Sequence, residues 1–205
     1  MARRGSYAKG VAKREEILTA ALEVIARHGY GRASVRELAE AVGLSQAGLL
    51  HYFSSKEELF AEVLRKRDDV DRARFERDAD EVSMVEGFRR TIERNADVPG
   101  LVQLYTRLSA EATDPAHPAH AFFAERTRTF RGLVAGEIRR SQADGGARAD
   151  LDPDRAAMLL LAAADGLQTQ WLMDPTVDMA EHIGLLLQLM APDGADDAAA
   201  SPSDD

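Results

Sequence analysis

The chain has 205 residues, 45% of them hydrophobic, no cysteine and a formal net charge of −9. That size and composition fit a globular protein with one or two buried cores. The missing thiols exclude a disulfide framework and a thiolate metal site and suit a reducing cytoplasm, where we expect the chain. The longest apolar run, 156–164, is too short to cross a bilayer, and no apolar segment follows the basic opening Met1-Ala2-Arg3-Arg4, so neither a membrane partner nor a secretion signal is expected.

The net charge hides a polarity. Residues 1–67 hold 12 Lys and Arg against 8 Asp and Glu, a balance of +4, whereas residues 68–205 hold 14 against 27, a balance of −13. A basic head on an acidic body faces a polyanion with one end only.

Nearly every segment reads at the helical period, and no strand is predicted. Over 11–28 the stripe Ile17, Leu18, Ala21, Leu22 and Ile25 predicts a first helix, stopped by Gly29 and Gly31. Ser34-Val35-Arg36-Glu37 is a capping box that opens a second helix with Leu38, Ala39 and Val42 inward and Gly43 at its end. Only Leu44 separates Gly43 from Ser45, which caps a short third helix, Gln46-Ala47-Gly48-Leu49-Leu50-His51; so tight a turn makes the two helices cross steeply. Ser55-Lys56-Glu57-Glu58 is a second box, opening a fourth helix with Leu59, Phe60, Val63 and Leu64 inward and a charged extension to Glu81.

Val85, Phe88 and Ile92 mark a fifth helix; Pro99-Gly100 with Leu101, Leu104, Tyr105 and Leu108 a sixth; Phe123, Phe130, Val134 and Ile138 a seventh, stopped by Gly145-Gly146. Asp152-Pro153 opens an eighth helix, whose apolar run through Leu167 and Trp171 is too broad for one buried stripe and predicts cover on several sides. Met179, Ile183, Leu186, Leu187 and Met190 form a last helix, and the acidic tail 191–205 has nothing to bury and is expected to be disordered. The first fourteen residues carry Arg3, Arg4, Lys9, Lys13 and Arg14; residues 1–10 read as a disordered basic arm, free to lie along a phosphate backbone or enter a minor groove.

The segment from Ser34 to Leu59, with the Ile17-to-Gly31 helix and turn before it, resembles the DNA-binding region of the TetR family over roughly the first third of the chain. The physics agrees: a recognition helix is short and carries small residues, here Ala47 and Gly48, so that backbone approaches the major groove. Gln46 carries the donor and acceptor pair that suits an adenine edge, and serves a phosphate equally well. Ser34, Arg36, Ser45, His51, Tyr52 and Lys56 are donors around it, and the amides opening the fourth helix favour an anionic oxygen. Ser34 and Ser45 are also explained by capping alone. Leu50 either touches a thymine methyl or packs, Tyr52 either contacts DNA or packs under the first helix, and Phe53 is expected to be buried there.

The resemblance implies an all-α fold of about nine helices: a three-helix DNA-binding head (11–57) joined through the long fourth helix to a ligand-binding and dimerisation bundle (58–190). It further implies a sequence-specific transcriptional regulator, a repressor released from a pseudo-palindromic double-stranded operator by a small-molecule effector, and a homodimer formed through the last two helices. Candidate effector-lining residues are Phe88, Tyr105, Phe122, Phe123, Phe130, Asp165, Gln168 and Trp171. The alternative is a DNA-binding protein that recruits or blocks a protein partner through the charged stretch Arg65 to Glu81. No nucleophile elbow, phosphate loop or metal-ligand spacing is present, so neither an enzyme nor a cofactor is expected. His117 and His120 lie three apart, but no carboxylate cluster completes a metal site beside them.

Overall fold

A computed structural model describes residues 2–29, 34–78 and 84–192. Its described residues form nine α-helices and no strand: α1 (Ala2–His28), α2 (Val35–Ala41), α3 (Gln46–Leu50), α4 (Lys56–Asp78), α5 (Met84–Ala96), α6 (Pro99–Glu111), α7 (His120–Ala143), α8 (Pro153–Met173) and α9 (Met179–Gln188). They fall into two compact units, one within Met1–Ser83 and Glu93–Ala124, the other within Met84–Ile92 and Glu125–Asp205.

In the first unit, the stripe read in α1 is the core. Ile17, Leu18, Ala21 and Ile25 are buried together with Leu38 of α2, Leu49 of α3 and Leu59, Phe60, Val63 and Leu64 of α4. Gly29 ends α1 at φ +79°, a left-handed conformation that costs glycine no Cβ clash. Helix α6 lies against α1 through Gly100, where there is no room for a side chain. Its Leu101, Leu104, Tyr105 and Leu108 complete the same core with Phe122 and Phe123 at the start of α7. These packing units are drawn along other lines than the 11–57 and 58–190 division that the resemblance implies. The inner face of α4 and all of α6 belong with the head, because their apolar stripes face α1.

The start of α1 also departs from expectation. Residues 2–10, expected as a disordered arm, are helical backbone continuous with the rest of α1. No proline interrupts them, and a helix nucleated by the packed turns from Ile17 onward propagates at the cost of single residues. The tail 193–205, Gly31 and the side chain of Val85 lie outside the described residues.

The second unit has two apolar clusters. Val134, Ala135 and Ile138 of α7 pack on Ala156, Ala157 and Leu160 of α8, and Ile92 packs with Ala164, Met179, Ala180 and Ile183. Local chemistry sets the helix ends. The Asp152 carboxylate accepts the Asp154 and Arg155 amides at the start of α8, Asp178 accepts the Glu181 amide at α9, and Gly145 at φ +75° ends α7. The Gln142 amide then donates to the carbonyls of Arg148 (2.8 Å) and Leu151 (2.9 Å), fixing the turn into α8. The broad apolar surface of α8 is not covered within the chain: Met158 is 53% and Leu159 62% exposed, as are Leu185 (56%) and Leu189 (65%) of α9.

Candidate nucleic-acid interface

The arrangement around α3 is built from two caps and one glycine turn. The Ser34 hydroxyl accepts the Glu37 amide (3.2 Å), and the Glu37 carboxylate accepts the Ser34 amide (2.9 Å), the reciprocal pair expected of a capping box. That amide, with the Ser34 hydroxyl, holds the Glu37 carboxyl below its usual range. Helix α2 closes in a Schellman turn: the Leu44 amide donates to the Ala39 carbonyl (2.8 Å), the Gly43 amide to Glu40 (3.2 Å), and Gly43 takes φ +67°.

Ser45 then caps α3, its hydroxyl accepting the Gly48 amide at 3.0 Å. A Cβ on Gly48 would stand 3.2 Å from that same hydroxyl. Glycine thus keeps the cap open as well as offering a small surface. Leu49 is fully buried and locks α3 to the core, whereas Gln46, Ala47, Leu50 (41% exposed) and His51 are exposed. Tyr52 is half-buried and meets the His51 ring edge-on at 5.9 Å, and Phe53 is buried as expected. Ser34, Arg36 and Lys56 are exposed too, but Arg36 is ion-paired to Glu40 at 2.9 Å, and the Lys56 ammonium lies 5.3 Å from the Phe60 ring.

The box opening α4 is formed as read on one side, and its return bond is displaced by one residue. Ser55 accepts the Glu58 amide (3.0 Å), but the Glu58 carboxylate turns back to the amide of Ser54 (2.6 Å) and to its hydroxyl. The Ser54 hydroxyl foremost, then the Ser54 amide and Arg14, hold the Glu58 carboxyl below its usual range despite some desolvation. Of the amides opening α4, that of Glu58 is already engaged by the Ser55 hydroxyl.

Two cations assigned by sequence to the basic start of the chain also act internally. Lys13 donates to the Val42 carbonyl (3.1 Å) and to Glu16 (2.7 Å). Arg14 donates to the Tyr52 carbonyl (2.5 Å) and pairs with Glu58 and Glu62. Arg14 stands three and four residues before Ile17 and Leu18, on the buried edge of α1, and that spacing was the available signal.

The eight candidate effector-lining residues are distributed over both units. Tyr105, Phe122 and Phe123 belong to the core of the first unit, with Phe123 tilted against Tyr105 (centroids 5.7 Å apart) and edge-on to Phe122 (5.0 Å). In the second unit, Phe88 and Trp171 pack on the Ile92–Ile183 cluster, Phe130 is half-buried under the Arg126 guanidinium (4.5 Å), and Asp165 is exposed. Gln168 is buried, with its amide 3.4 Å from the Ala164 carbonyl. His117 and His120 hydrogen-bond to backbone, to the Ala119 amide and the Ala112 carbonyl, and no cluster of His, Asp and Glu suited to a metal occurs among the described residues. Nor is any described helix long and apolar enough to cross a membrane.

Residues 17–63 match the family model described as bacterial regulatory proteins, tetR family, and residues 100–199 match the BetI-type transcriptional repressor C-terminal model. The repressor AcnR of Corynebacterium diphtheriae is 29% identical over 83% of this chain and 87% of its own length. AcnR of Corynebacterium efficiens is 40% identical, over 42% of this chain and 43% of its own length, so there the chain spans less than half of the relative. Among solved structures, a Rhodococcus sp. protein described as a TetR-family transcriptional regulator is similar at TM-score 0.69 and 24% identity, covering 88% of this chain and 98% of that one. A transcriptional regulator from Saccharomonospora viridis, solved in complex with choline, is similar at TM-score 0.64 and 26% identity over 85% of this chain and 93% of its own. Taken together, the two family-model matches and the AcnR repressor relative show that this protein belongs to the TetR family of DNA-binding transcriptional regulators, which are not enzymes.

Proposed function

We propose that the protein is a homodimeric transcriptional repressor that reads a pseudo-palindromic operator with α3 and leaves it when a small molecule binds the helical body. The observation that carries this reading is the construction of α3. Five residues are held by the Ser45 cap and the buried Leu49, and Gln46, Ala47, Leu50 and His51 are presented to solvent. A helix of that length with small residues on its exposed side fits the major groove. Gln46 reads a base edge, Leu50 meets a thymine methyl, Ala47 and Gly48 let the helix approach closely, and Ser34, Arg36, Ser45, His51, Tyr52 and Lys56 fix register on the phosphate backbone.

The exposed Met158, Leu159, Leu185 and Leu189 supply the dimer surface, since two such faces together bury what one chain leaves in water. The choline complex of the S. viridis relative supports a small-molecule input on this fold. Binding of such an effector shifts the population toward a dimer whose two recognition helices no longer match successive major grooves.

Selection of bound duplexes from a random pool tests the reading. A two-fold motif with half-sites one helical turn or a multiple apart is expected; enrichment of no motif at moderate salt rejects it. Adding cell metabolites to the selected complex is expected to release the DNA, and release by none of them rejects the effector.

A further inference from the structure

The two ends of α3 are held by adjacent residues of one other helix. Ahead of α3, the carbonyl of Val42, the C-cap of α2, accepts Lys13 Nζ at 3.1 Å. Beyond α3, the carbonyl of Tyr52 accepts Arg14 Nη1 at 2.5 Å. The same guanidinium lies 4.3 Å over the ring of the buried Phe53 and reaches Glu58 (3.4 Å) and Glu62 (3.2 Å) at the start of α4. Both side chains are largely withdrawn from solvent, at 27% and 34% exposure.

Carbonyls at the C-terminal ends of helices carry partial negative charge, and a cation donating to them makes a charge-assisted hydrogen bond. Arg14 adds stacking on an aromatic face, which a planar guanidinium performs and an ammonium does not reproduce. A five-residue helix has too few internal hydrogen bonds to hold its own direction. Its attitude is therefore set by Leu49 beneath it and by what grips the turns on either side.

We infer that Lys13 and Arg14 are positioning residues: they hold the two turns that flank α3 and so aim it into the groove, and they do not bind phosphate. The inference rests on α3 being the DNA-reading helix. It assigns two cations of a basic segment to specificity, where composition alone assigns them to non-specific affinity.

The test uses the full-length protein with two probes, a duplex selected by the wild type from a random pool and a scrambled duplex of the same composition. Arg14→Met is expected to weaken binding to the selected duplex about 10-fold, as expected for losing a hydrogen bond to a charged group, and to leave the scrambled duplex within about two-fold. The salt dependence of log K is expected to stay unchanged, and Arg14→Lys to restore part of the loss. Equal loss on both duplexes with a slope reduced by about 1 makes Arg14 a phosphate ligand and overturns the inference; undiminished discrimination overturns it as well. Should Arg14→Met fail to fold, Lys13→Met carries the same test through the Val42 turn. A wild type that shows no preference for any duplex defeats the reading of α3 itself, an outcome distinct from a wild type that discriminates and variants that discriminate equally well.

Discussion

Gly100, the second residue of α6, lies so close to Ile25 of α1 that a Cβ built on it would stand 2.2 Å from the Ile25 carbonyl oxygen, and 2.6 Å from Gly29 Cα. Both obstacles are backbone and neither swings aside. Gly100→Ala therefore has to separate two helices that share one core, and we expect it to lower stability by about 1–3 kcal/mol, the usual cost of overpacking. Gly132→Ala is the control: it is a mid-helix glycine of α7 with nothing within 4 Å of its added carbon. It should be neutral or stabilising by up to about 1 kcal/mol, from helix propensity. Urea midpoints at one protomer concentration compare the two, and equal midpoints would show that the α1–α6 approach is not constrained.

How legible such features are in the sequence depends on how local their chemistry is. The caps at Ser34, Ser45 and Asp152 and the left-handed Gly43 and Gly145 act within a few residues of themselves, and each is where the sequence places it. The stripe from Ile17 to Ile25 was legible for the same reason, since periodicity reports which face is buried. It does not report against what. Periodicity marks Tyr105, Phe122, Phe123, Phe88 and Trp171 alike as inward-facing, and it is packing that assigns the first three to the α1 cluster and the last two to the Ile92–Ile183 cluster. Lys13 and Arg14 find their carbonyls 29 and 38 residues away, so spacing within α1 marks Arg14 as lying on the buried edge but does not name its partners. The choice of Ser54 over Ser55 by the Glu58 carboxylate depends on the backbone path between α3 and α4, which capping-box spacing does not specify.

Glu58 makes a prediction in pH. Its folded pKa lies below the ordinary value, chiefly through the Ser54 hydroxyl, so it adds stability fully present above the unfolded carboxylate pKa and lost as pH falls through the lower folded value. Glu58→Gln should be less stable than the wild type at pH 7, and the gap should close as pH drops below about 4.5, toward and past the folded pKa. Denaturant midpoints at pH 7 and at decreasing acid pH measure this. A gap that widens in acid would mean that the carboxylate is not held by Ser54.

Lys56 and Gln46 separate affinity from reading. Both are exposed, one at the start of α4 and the other at the start of α3. If Lys56 meets a phosphate, Lys56→Ala weakens binding to every duplex and reduces the salt slope by about 1. If Gln46 meets a base edge, Gln46→Ala costs about 1–3 kcal/mol at one base pair and little elsewhere. Binding isotherms on single-base variants of the selected site, at several salt concentrations, distinguish the two. An unchanged slope removes Lys56 from the phosphate contacts, and uniform loss across all variants removes Gln46 from the bases.

The uncovered face of α8 and α9 gives the last prediction. Leu159 is 62% exposed and Leu185 56% exposed, so a charge at either position meets water in an isolated chain and should not disturb its fold. In a dimer that buries these side chains, the same charge is desolvated without a partner, at a cost of several kcal/mol per site, and a two-fold axis repeats it. Leu159→Glu is therefore expected to keep the helical signal and the thermal transition of a folded chain while sedimenting as a monomer. Binding to a two-half-site duplex should then weaken far more than binding to a single half-site, because only the dimer gains from occupying both. A variant that remains dimeric would place the subunit contact elsewhere on the chain, and Leu185→Glu on α9 then tells whether that helix alone carries it.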